Sequence, residues 1–150
     1  ATPLSIPDLV DLTDLRCEVE TIALRRSVAN GDLEWESSLV AATHRLNASP
    51  PREDGSAALR PDWVAAHAVF HAAFVSACGN SRIIALHAQL FEQSERYRGL
   101  SAHLATKRNI PSEHRKMLEL ALARDADQLI AVTIRHIQET TRLIIAAKSR

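Results

Sequence analysis

Apolar residues recur three and four positions apart along almost the whole chain and nowhere alternate with polar ones. That period belongs to helices packed by one face. A half-buried strand needs a two-residue period, so sheet-based frameworks are excluded. Start and stop signals divide the pattern into six helices, over about residues 7–30, 32–47, 61–78, 81–103, 111–124 and 125–147. Asn30-Gly31 and Gly79 are stops, Pro61 and Pro111 suit first turns, and Asn80 or Ser81 and Asp125 serve as caps. The expected stripes are Leu9, Leu12, Leu15, Val19, Ile22 and Ala23 in the first helix and Trp35, Leu39, Ala42 and Leu46 in the second. In the fourth the stripe is Ile83, Leu86, Leu90, Phe91 and Tyr97. Residues 48–57 gather Pro50, Pro51 and Gly55 among charges and read as a solvated loop. Short connections elsewhere make sequential helices antiparallel neighbours. The fold class is therefore all-α, an antiparallel bundle. Its 150 residues suit one domain, and with aromatics at only 4% the core must be built from Leu, Ile, Val and Ala.

Eighteen basic and eighteen acidic residues leave a formal charge of zero. A free-standing nucleic-acid binder carries a basic excess to neutralise phosphates, so this chain by itself is not expected to bind DNA. Cys17 and Cys78 stand far apart without metal-type spacing and read as buried thiols of a reducing, cytoplasmic compartment. No apolar run has membrane-spanning length, and residues 1–14 lack the basic and apolar regions of a secretory leader.

The histidines carry the chemistry. Trp63, His67, Phe70, His71 and Phe74 fall within one arc of the third helix, with His67 and His71 one turn apart. His114 shares the apolar face of the fifth helix with Met117, Leu118 and Ala121, and His136 lies among Leu129, Val132, Thr140 and Leu143 of the sixth. Three helices thus aim four imidazoles inward. An isolated histidine on such a stripe is ordinarily a hydrogen-bonded core residue, and His87 near the stripe of the fourth helix fits that description. Four together can converge on one ion, and neutral imidazole suits zinc, nickel, copper, cobalt or iron. His44 points off its stripe and His103 lies at a helix end, so both are expected in solvent.

Arg16 sits in the inward arc between Leu12 and Val19. Either it pairs with Glu20 one turn on, or its guanidinium is reserved for a ligand carboxylate. Arg98 follows Ile84 and Phe91 at seven-residue intervals and either joins that pocket or snorkels to the surface.

The ordered set of pieces resembles the FCD domain, the C-terminal effector-binding domain of FadR-type regulators in the GntR family. The likeness runs through Leu15-Arg16 with Glu20 and Ala23, then Phe70-His71, Ser76-Ala77-Cys78-Gly79-Asn80 and Glu113-His114-Arg115-Lys116-Met117-Leu118. Asp125 and His136 follow His114 at successive eleven-residue intervals. The resemblance implies a divalent metal held by an Asp and three His, here His71, His114 and His136, with His67 standing where the family has Asp. A four-histidine site of His67, His71, His114 and His136 is the expected variant. Four neutral ligands leave the ion its full double charge, which favours zinc or nickel over manganese and favours an anion in the open position. The resemblance also implies a homodimer, a small carboxylate effector bound with Arg16 and Arg98, and a winged helix-turn-helix domain outside these 150 residues through which DNA is bound. A metal-dependent hydrolase-like enzyme is the alternative, since an ion with an open position can activate water. A dimerisation domain whose histidines bind nothing is the third reading.

Overall fold

The computed structural model describes residues 5–100 and 108–148, with the side chains of residues 99 and 100 left aside. His103 lies outside the described residues. Six helices follow in order: α1 (Ile6–Asn30), α2 (Leu33–Asn47), α3 (Pro61–Val75), α4 (Ser81–Leu100), α5 (Ile110–Leu122) and α6 (Ala126–Lys148). The all-α expectation holds. No helix among the described residues is long and apolar enough to cross a membrane.

Local chemistry explains the boundaries. Asp32 accepts from the Trp35 amide at 3.0 Å, Asn80 from Ile83 at 3.0 Å, Asn109 from Ser112 at 3.0 Å and Asp125 from Gln128 at 3.1 Å. Each side chain satisfies an amide that the first helical turn leaves without a partner, a contribution of about 1 kcal/mol apiece. The third helix is shorter than expected and ends at Val75 rather than Cys78. Ser76 is the reason: its hydroxyl donates to the Ala73 carbonyl at 2.7 Å, and a tight turn leads into Gly79 at φ 76°. Gly31 has an ordinary φ of −64° and is needed for another reason. A Cβ there would stand 2.3 Å from the Trp35 ring, so glycine lets α2 fold back closely on α1.

α1 packs on α4 and α6, α2 on α3 and α5, and α5 on α6. The main core joins Leu24, Trp35, Leu39, Phe70, Phe74 and Leu129, and a smaller one joins Leu12, Val19 and Leu90. Two stripes shift from expectation. Leu15 and Ile22 are 44% and 53% exposed, because Arg16, Glu20 and Ser27 take the inward positions of α1. In α4, Leu86 faces outward and His87 is buried in its stead. His44 is exposed as expected, and Cys17 and Cys78 are buried and unpaired.

Candidate metal centre

α3 contributes two imidazoles and α5 and α6 one each, all buried. One nitrogen from each of His67, His71, His114 and His136 lies within 4.8 Å of all the others. The Nε2 atoms of His67 and His71 are 3.0 Å apart, and those of His114 and His136 are 3.3 Å apart. Nitrogens bound to one ion at about 2.0–2.1 Å stand about 3.3 Å apart in a tetrahedron and about 4.1 Å apart when opposed. The widest gap exceeds that by less than an ångström, within reach of imidazole rotation. Trp63 stacks on His67 with centroids 4.5 Å apart, and Phe70 and Phe91 pack on His71 at 5.1 and 5.2 Å. This aromatic wall packs the α3 pair into place.

Two carboxylates orient the rings from behind. His67 Nδ1 donates to Glu95 of α4 at 3.2 Å, and His136 Nδ1 donates to Glu113 of α5 at 2.7 Å. A ring that gives its Nδ1 proton to a carboxylate presents the Nε2 lone pair inward, as a metal requires. Burial pushes His67 down to about 4 despite the opposing hydrogen bond from Glu95. Burial likewise lowers His71 and His114, with repulsion from neighbouring imidazolium rings adding to it, and it lowers His136, where Glu113 opposes the shift and Arg108 and Arg98 add to it. All four are therefore neutral donors near pH 7. Glu95 and Glu113 are held at about 2: burial alone would raise them, but the histidine and arginine partners outweigh it. Four neutral imidazoles, two of them with outer nitrogens anchored by carboxylates, fit a divalent transition metal.

Arg16 lies against this cluster with its guanidinium 5.1 Å over the Phe91 ring. The alternative partner does not take it: Glu20 turns to His87, Oε1 to Nε2 at 2.7 Å, and both are buried. His87 is thus a hydrogen-bonded core histidine outside the cluster. The Nε of Arg16 is buried without a hydrogen-bond partner among the described residues. Burial lowers its pKa, with Glu20 and Glu95 opposing the shift. Arg98 is also inside rather than snorkelling, its side chain 11% exposed. It lies 3.6 Å from Glu95 and donates to the Thr140 hydroxyl at 3.3 Å.

Sequence reasoning missed Glu95, Glu113 and Arg108. Glu95 follows His87 and Phe91 at helical intervals, so an acid in the α4 stripe was the available signal. Glu113 adjoins His114 in sequence yet serves His136 on another helix, which no spacing announces. Arg108 grips Glu113 through two bonds of 2.6 and 2.7 Å and donates to the His136 carbonyl at 2.8 Å. These groups complicate a charge count based on four neutral ligands: Arg98 stands with Glu95 and Arg108 with Glu113.

A family model, the FCD domain, matches residues 11–139. The chain belongs to the FCD domain family. This FCD domain is 37% identical over 145 residues to the HTH-type transcriptional regulator BphR of Paraburkholderia xenovorans strain LB400, covering 95% of this chain and 59% of that protein. It is 26% identical over 141 residues to the HTH-type transcriptional repressor GlaR of Escherichia coli strain K12, covering 89% of this chain and 63% of that one. Among solved structures, a GntR family transcriptional regulator from Pseudomonas syringae pv. tomato strain DC3000 matches with a TM-score of 0.78 at 18% identity. That match covers 100% of this chain and 61% of the other, and it speaks for the fold. The FCD domain spans about three-fifths of the length of these relatives.

Proposed function

We propose that this FCD domain is the effector-sensing part of a longer, homodimeric transcription regulator. In this reading His67, His71, His114 and His136 hold one divalent transition metal, zinc or nickel by the softness of an all-imidazole set. A carboxylate effector binds at the metal, with Arg16 and Arg98 receiving its charge. DNA contact belongs to a helix-turn-helix domain outside these residues, as the names of the relatives suggest. The observation that carries the proposal is the placement of four buried, neutral imidazoles beside a buried guanidinium nitrogen that has no hydrogen-bond partner among the described residues.

The metal would supply a compact double charge that an anionic oxygen can join. The chain's own residues do the rest. Glu95 and Glu113 hold two of the rings, Trp63, Phe70 and Phe91 pack around the α3 pair, and Arg16 waits on the effector side. A sensor suits this arrangement better than a catalyst. Both carboxylates beside the centre are already engaged with outer ring nitrogens, so neither is placed as a general base among the described residues. An effector that prefers one dimer arrangement over another would pass the signal on.

Elemental analysis of the chain purified without chelating resin tests the centre. One equivalent of zinc or nickel per chain, lost in the double variant His71→Ala/His114→Ala, is the expected result. A chain that takes up no divalent metal at micromolar excess would reduce the cluster to a hydrogen-bonded core.

A further inference from the structure

Two spaces of very different size adjoin the histidine cluster. The smaller, about 20 Å³, is walled by Arg16, His67, His71, Glu95 and His136. It has room for about one water molecule, so it can receive a carboxylate oxygen but not the body of a ligand. The larger, about 640 Å³, lies between residues 46–63 on one side and α5 and α6 on the other. It falls within the size range of pockets that enclose a ligand of many atoms. Arg98 and Thr140 line both spaces, and their 3.3 Å contact stands at the boundary. His114 also reaches the wall of the larger space.

The chemistry of the larger wall differs from that of the smaller. Leu46, Leu59, Trp63, Ile110, Pro111 and Leu143 give it an apolar face, while Arg98, Arg108 and Arg115 supply cations. Trp63 presents one ring to both sides, stacking on His67 within the cluster and lining the larger cavity. A compact dicarboxylate or hydroxy acid held at the cluster would leave these apolar walls in water. A ligand with an apolar tail removes them from it, and that burial is favourable in proportion to area.

The geometry points to an amphipathic monocarboxylate as the effector class, with its carboxylate between the cluster and Arg16 and a ring-sized apolar body against Trp63, Leu59 and Leu143. This rests on the carboxylate-sensing reading above and replaces its small, highly polar effector with a larger one. Arg98 sits where head and tail meet, so its contact with Thr140 must yield as the ligand passes.

Calorimetric titration of the zinc-loaded and the EDTA-treated chain with acetate, butyrate, succinate and 4-phenylbutyrate separates the two ideas. Affinity rising from acetate to 4-phenylbutyrate by roughly thirtyfold or more is expected from the added apolar burial. Leu143→Asp should return 4-phenylbutyrate to the level of acetate while zinc content stays the same. The chain-length series on the unaltered chain stands even if that variant does not fold. Equal binding of acetate and 4-phenylbutyrate, tighter binding of succinate than of 4-phenylbutyrate, or no binding of any probe overturns the inference. A chain that holds no zinc yet still prefers 4-phenylbutyrate upholds the cavity assignment and sinks the metal centre instead.

Discussion

Acid should destabilise the metal-free chain through its imidazole cluster before it reaches Glu95 and Glu113. His67 has a pKa of about 4 in the fold against an ordinary 6.5. Between those values the unfolded chain carries a proton on this ring and the folded chain does not. Stability therefore rises with pH across that window and is lost as acid is added. At about pH 5 the unfolded ring is protonated by roughly 30 to 1 while the folded ring is mostly bare, a difference worth about 2 kcal/mol. Burial lowers His71, His114 and His136 as well, so their loss adds to that of His67. Glu95 and Glu113, held at about 2 against an ordinary 4.5, withdraw their own contribution only at lower pH. Urea unfolding followed by circular dichroism in EDTA, at about pH 7.5 and about pH 5, reads the effect as a midpoint lowered by about 1 M. His71→Phe should reduce the dependence by removing one of the four contributing rings. A midpoint constant to within about 0.2 M between the two conditions would show that the rings take up protons without cost, and the buried neutral cluster would be refuted.

Three further outcomes are expected. Arg16→Ala should weaken carboxylate binding by about tenfold or more with zinc content intact, because an ionic partner of the head group is removed; equal affinity in calorimetry would leave Arg16 only its packing on Phe91. Glu95→Gln should lower zinc affinity by about tenfold to a hundredfold, read by competition with a fluorescent chelator, since the ring it orients loses its fixed tautomer. Unaltered affinity would make that hydrogen bond incidental. Arg124 stacks over Trp35 and donates to the Val28 and Gly31 carbonyls and to Glu36, tying the end of α5 to the α1–α2 junction. Arg124→Ala should cost about 1–3 kcal/mol and lower Tm by several degrees; a shift within about one degree would contradict that tie.

Helix number and most boundaries were legible in the sequence because caps and stops are local chemistry. Asp32, Asn80 and Asp125 announce helix starts through side chains that reach their own next turn. The His67–His71 pair was legible for the same reason, since one helical turn sets their spacing and Trp63, Phe70 and Phe74 set their direction. What depended on neighbours was not. Leu15 and Ile22 match the apolar period of α1, yet Glu20 faces inward because His87 of α4 waits there. Glu113 could be placed near His114 but not against His136, because that contact crosses from α5 to α6. The two cavities are also tertiary features, the larger made where residues 46–63 stand off from α5 and α6 and the smaller where α1, α3, α4 and α6 meet, and no periodicity describes an empty space.

X-ray absorption at the zinc or nickel edge, on the chain purified without a metal-binding tag, tests the four-histidine centre most directly. The account predicts a nitrogen and oxygen shell at about 2.0–2.2 Å with the outer scattering of three or four imidazoles, and loss of that imidazole signal in His71→Ala/His114→Ala. A sulfur shell at about 2.3 Å, or an imidazole signal that survives in the double variant, would place the metal elsewhere and contradict it.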